Sequence, residues 1–138
     1  MNTRRTLKLA TWLLWLALVV GLGTAIGQQT PPTENKGVTV KPLTGVDLGP
    51  EIDGMQGRQL RMRMVTVEPG GVVGVHSHTD RPGVVYVLQG RFIEHRGGVA
   101  NQYGPGDTFS ENKDTTHWVE NQGTTPAVVI AVDIFKQP

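Results

Sequence analysis

From Val38 onward the chain breaks into short, valine-rich apolar runs separated by turn residues: "VTVKPL", "RQLRMRMVTV", "GVVGVHSH", "GVVYVLQGRFIEH", "GDTFS", "HWVEN" and "PAVVIAVDIF". About seven strands at this spacing predict an all-β domain, a sandwich or a small barrel. No segment after residue 37 sustains a helical period, and the longest stretch between strands, "GVDLGPEIDGMQG", is interrupted by Gly49, Pro50, Gly54 and Gly57.

The first 27 residues follow a different rule. Arg4, Arg5 and Lys8 precede an apolar run from Leu9 to Ile26 that ends in the small residues "GTAIG". That is the layout of a secretory signal peptide cleaved after Gly27, which places the mature protein in the periplasm or outside the cell. The run is also long enough to span a bilayer, so an uncleaved membrane anchor is the alternative. The paired arginines of "TRRTLK" suit a twin-arginine export signal as well. Residues 28–37, "QQTPPTENKG", read as a flexible linker, and the domain as residues 38–138.

Composition narrows the partners. A chain of 138 residues has room for one core and one site. Removing residues 1–27 takes away three of the 13 basic residues, leaving 10 against 12 acidic ones, so the net charge moves from +1 to −2. No basic cluster remains to meet a row of phosphates, so nucleic acid is not an expected partner, and membrane contact is expected only through an uncleaved N-terminal segment. Cysteine is absent, which excludes disulfides, thiolate ligands and a cysteine nucleophile.

His76 and His78 stand at i and i+2 in a strand and therefore share a face, where both can reach one ion. His117, in "DTTHWVENQG", offers a third imidazole from a distant strand. The plainer alternative is a strand end with two solvated histidines.

With these residues in place the chain resembles the cupin superfamily. Its first motif, G-x5-H-x-H-x3,4-E-x6-G, is matched at Gly70, His76, His78 and Gly90, and its second, G-x5-P-x-G-x2-H-x3-N, at Gly106, His117 and Asn121. Asn112 and Asp114 replace the second motif's proline and inner glycine. The resemblance spans roughly residues 60–135 and implies a single cupin jelly-roll β-barrel. It also implies that His76, His78 and His117 bind a divalent transition metal, whether iron, manganese, zinc or nickel. The glutamate that usually supplies a fourth ligand would fall at Gly83. Two consequences stay open: a three-histidine centre with an extra free position, or a decayed site.

Around the motifs, Val85, Val87 and Gln89 share a face with Gly83 and read as an apolar pocket wall carrying one amide. Glu94 and His95 lie on the following strand, and only one of them can face inward. The hydroxyl of Tyr86, or that of Tyr103, would serve as an acid if it stood near the metal. Arg61 and Arg63 alternate with Met62 and Met64; the methionines are expected to line the barrel and the arginines to be solvated. Inward arginines would instead bind a carboxylate substrate. Asp80, in "TDRPG", reads as a turn-former, and Phe109 and Trp118 as packing residues.

Three functions fit. The first is a metal-dependent enzyme acting on a small molecule, most naturally dioxygenase-like, although the branch that needs a cysteine–tyrosine cross-link is excluded. The second is a zinc or manganese Lewis-acid isomerase or lyase, and the third a binding module without catalysis. The resemblance also implies a homodimer made by pairing outer strands, with which runs such as "PAVVIAVDIF", apolar on both faces, agree.

Overall fold

The structure, a computed structural model, describes residues 30–136. The export segment read at residues 1–27 lies outside the described residues. The strands are β1 (Lys36–Asp47), β2 (Arg58–Ser77), β3 (Gly83–Gln89), β4 (Phe92–Arg96), β5 (Val99–Tyr103), β6 (Thr108–Glu111), β7 (Thr116–Glu120) and β8 (Ala127–Lys136). They form one antiparallel sheet in the order β5-β4-β7-β2-β8-β3-β6, with β1 along β2, curled into a nearly closed jelly-roll barrel. No α-helix occurs among the described residues.

Period-two alternation decides what the barrel encloses. On β8, Ala127, Val129, Ala131 and Asp133 are buried, while Val128, Ile130, Val132 and Ile134 are half-buried on the outer face. Val67, Val85, Val87, Phe92, Val119 and the β8 residues Ala127, Val129 and Ala131 pack into one cluster. Full burial of a valine- or phenylalanine-sized side chain contributes about 1.5–3 kcal/mol, so this cluster is a main apolar contribution to the barrel's stability and contains no histidine.

Several boundaries differ from the sequence reading. "RQLRMRMVTV" and "GVVGVHSH" are one strand of 20 residues. The "EPGG" between them is the corner where β2 leaves β8, after Val67↔Ala127, and takes up β7, from Val72↔Glu120. The run "GVVYVLQGRFIEH" divides at Gly90 into β3 and β4. β5, "VANQY", is too weakly apolar to announce itself, and its signal is the preceding Gly97–Gly98 pair. Their φ angles of 58° and 80° make the two-residue hairpin turn that joins Arg96 to Val99.

The stretch expected to be a free linker is tied down at its end. Val75 N donates to the Pro32 carbonyl at 2.7 Å, Gly74 N donates to Asn35 Oδ1 at 2.9 Å, and β1 has begun by Lys36. These residues satisfy backbone groups of β2 that would otherwise lack partners.

Candidate metal centre

β2 and β7 run side by side with His76 opposite His117, so three imidazoles distant in sequence become neighbours through one strand pair. His78 follows His76 onto the inner face by alternation, and His78 and His117 are each only 2% exposed. His117 Nε2 lies 3.0 Å from His78 Nε2 and 3.1 Å from His76 Nε2. All three offer a ligand atom within 4.8 Å of the others.

The outer nitrogens fix the tautomers. His76 Nδ1 donates to the Gly74 carbonyl at 2.8 Å, His78 Nδ1 to the Arg81 carbonyl at 3.1 Å and His117 Nδ1 to Glu94 Oε1 at 2.7 Å. Because the acceptors are carbonyls and a carboxylate, each Nδ1 carries the hydrogen and each Nε2 presents a lone pair. The His117 Nε2 lone pair, about 3 Å from those of His76 and His78, is repelled by both unless a cation sits among them, either a metal ion or a proton on one ring. Burial pushes the His78 pKa down to about 4, the positive charge of Arg81 adding to it. Burial also lowers that of His76. The three-histidine donor set is compatible with a divalent metal ion.

Gly83 on β3 is paired with Glu111 on β6. A Cβ at position 83 would stand 2.9 Å from the Val132 carbonyl oxygen and 3.1 Å from Glu111 Oε2, so the Glu111 carboxyl occupies the room that a side chain at 83 would need. Glu111 Oε1 lies 3.5 Å from His117 Nε2, and Oε2 3.3 Å from His78 Nδ1. Two ligands bound about 2.1 Å from one ion at a tetrahedral angle are about 3.4 Å apart, so Oε1 is spaced from His117 Nε2 as a fellow ligand would be. Burial raises the Glu111 pKa, against the pull of His117 and Arg81. The sequence reading missed Glu111, which is distant from Gly83 in the chain and meets it only through the β3–β6 register.

Residues 63–133, more than half of the chain, match the family model Cupin_2, the cupin domain. The chain belongs to the cupin family. Among curated proteins no match was found. Solved structures share the barrel. The polyketide cyclase RemF from Streptomyces resistomycificus superposes with a TM-score of 0.61 at 19% identity, covering 79% of this chain and 72% of its own. TT1209 from Thermus thermophilus does so with 0.58 at 21%, covering 73% and 85%. KdgF from Halomonas sp. does so with 0.57 at 19%, covering 78% and 90%.

In this cupin the second motif's substituted positions form an Asx turn, Asn112 Oδ1 accepting from Asp114 N at 3.2 Å and Thr115 Oγ1 at 3.2 Å. Asn121 serves the backbone, donating Nδ2 to the carbonyls of Val67 and Thr125, each at 2.8 Å. Asp80 is a turn residue with φ of 63°.

Of the four pocket residues proposed from sequence, only Glu94 reaches the centre, and it stands behind His117 rather than on the cavity wall. It is 1% exposed and also accepts from Arg96 Nε at 2.8 Å, from Arg96 Nη2 and from Tyr103 Oη at 3.4 Å. Burial alone would raise its pKa, but the bonds from His117 and Arg96 prevail and lower it. His95 takes the other face by alternation, stacking on Trp118 with 3.6 Å between centroids and bonding Glu120 Oε1 at 2.7 Å. Tyr86, opposite in parity to Gly83, points outward and is 45% exposed. Gln89 lies beyond a register shift after Val87, which turns it out to solvent.

The arginines correct the sequence reading. Arg61 and Arg63 face inward and Met62 outward, because Asp133 of β8 lies opposite Arg61 and is 2% exposed. Arg61 donates to Asp133 from Nε at 2.7 Å and Nη2 at 3.1 Å, and Arg63 from Nη2 at 2.9 Å. A cavity of about 420 Å³ opens over the centre. Its polar lining includes the three histidines with Arg63, Arg81 and Glu111, and Thr33 and Asn35 also line it; its apolar walls include Val38, Val65, Val73, Val85, Phe92 and Val129.

Proposed function

We propose that this cupin is an exported, metal-dependent enzyme acting on a small molecule, with dioxygenase-like chemistry as the leading reaction class. The observation that carries the reading is the convergence of three Nε2 lone pairs, each fixed from behind through Nδ1, at the base of a cavity. A divalent transition metal held by His76, His78 and His117 would supply oxygen activation if it is iron, or Lewis acidity if it is zinc or manganese. Glu94 orients His117, the valine walls keep water from the ligand, and Glu111 stands beside the histidines as a further oxygen donor. The basic and apolar pattern of residues 1–27 supports export.

Oxygen-independent isomerase or lyase chemistry is a second reading, favoured by the position of Glu111. Its carboxyl, 3.5 Å from His117 Nε2, is placed to take a proton from a ligand at the centre and return it.

Elemental analysis of untagged protein, purified without chelator beside the double variant His76→Ala, His78→Ala, tests both. About one equivalent of transition metal in the parent and none in the variant is expected. Iron with oxygen consumption supports the dioxygenase reading, and turnover without oxygen supports the second. No metal in either protein after reconstitution overturns both.

A further inference from the structure

Three arginines surround one buried carboxylate, and the donors do not balance. Arg61 spends two hydrogen bonds on Asp133 and lies over the Phe135 ring at 3.8 Å. Arg63 makes a single side-chain hydrogen bond, from Nη2, among the described residues. Its Nε is buried without a partner, the one such side-chain nitrogen or oxygen among the described residues. The Arg81 guanidinium makes no hydrogen bond among them, its nearest approach to a carboxylate being 3.9 Å from Nε to Asp133 Oδ2.

Arg63 and Arg81, not Arg61, line the cavity. The Arg81 carbonyl accepts from His78 Nδ1, so its backbone is anchored to the histidine centre. Unused guanidinium donors in a partly desolvated cavity call for a planar anion, which a guanidinium binds in a paired geometry. Apart from the three histidines, Glu111, Thr33 and Asn35, the remaining walls are mostly valine with Phe92, which suit a ligand with an apolar body, and the Glu111 carboxyl beside the histidines opposes one that is negatively charged throughout.

We propose that Arg63 and Arg81 form an anion-binding end of the cavity that takes the carboxylate of a small, partly apolar ligand whose other end reaches the three-histidine centre. The assignment deepens the metal reading and rests on it for that far end alone.

The test titrates the full chain, zinc-loaded and chelator-treated, with 4-methylpentanoate and with its neutral amide, by calorimetry. The acid binds at least about tenfold more tightly than the amide in the chelated parent, as charge-assisted bonds require. Arg63→Met and Arg81→Met each abolish that preference, while their zinc affinity stays within about threefold of the parent. Arg63 belongs to a buried ion-pair network and its variant can fail to fold, so Arg81→Met, which removes no hydrogen bond, decides. Equal binding of acid and amide by the parent, or full preference in Arg81→Met, overturns the proposal. Zinc uptake without acid preference refutes the anion end and spares the metal reading; acid preference without zinc uptake does the reverse.

Discussion

Replacing Glu94 by glutamine probes whether the histidines are arranged for a metal. Glu94 is buried at 1% exposure, and its Oε1 holds His117 Nδ1 at 2.7 Å while also accepting from Arg96. Glutamine keeps the shape but removes the charge. To retain the bond to His117 its amide must turn its oxygen that way, which points an NH2 at the Tyr103 hydroxyl and weakens the hold on Arg96. A hydrogen bond to a charged group contributes about 1.5–3 kcal/mol, and removal of such an outer partner lowers metal affinity about 10- to 100-fold. The two figures agree, since tenfold corresponds to about 1.4 kcal/mol. Competition against a chromophoric chelator near neutral pH should therefore give a zinc dissociation constant raised about 10- to 100-fold in Glu94→Gln. Tyr103→Phe, which loses only a 3.4 Å contact, should stay within about threefold. Parent-like zinc binding by Glu94→Gln would refute the idea that Glu94 sets the basicity and orientation of His117.

The metal-free protein should lose stability as pH falls. His78 titrates near 6.5 when unfolded and about 4 when folded, so the unfolded chain takes the proton first. Its contribution is full above about pH 6.5 and is lost progressively toward pH 4, by at most about 3 kcal/mol; urea midpoints that stay flat across this window would contradict it. Gly83→Ala should cost about 1–3 kcal/mol in urea unfolding, because its Cβ would meet the Val132 carbonyl oxygen at 2.9 Å and the Glu111 carboxyl at 3.1 Å; an unchanged midpoint would show that the site relaxes. His117→Ala should abolish zinc uptake while circular dichroism still reports a folded barrel, since the apolar cluster includes no histidine. Unfolding of that variant would make His117 a core residue first.

Period-two alternation made the strands, the inward pair His76 and His78, and the opposition of Glu94 to His95 legible, because a strand's faces follow from spacing alone. What stayed hidden depended on which strand lies beside which. Arg61 and Arg63 turn inward because of Asp133, about 70 residues away in the chain, and no local pattern announces that partner. Gln89 leaves the inner face through a one-residue register shift, which alternation counted along the chain does not contain. The second motif's missing proline and glycine are replaced by hydrogen bonds of Asn112, whose effect on the turn is local but whose identity the motif does not specify.

The pairing of Gly83 with Glu111 has a consequence for how sequences of this kind can change. A glutamate introduced at 83 while Glu111 remains would force two carboxyls into one desolvated space, where steric overlap and like charge both oppose it. Loss of Glu111 while Gly83 remains would leave an empty place beside the histidines. Each single step is penalised, and exchanging both relieves the carboxyl overlap while leaving only the 2.9 Å approach of a Cβ at 83 to the Val132 carbonyl oxygen, so the two positions are epistatic and should vary together. A search pattern that demands the glutamate in the first motif would pass over chains that carry the carboxylate on the facing strand.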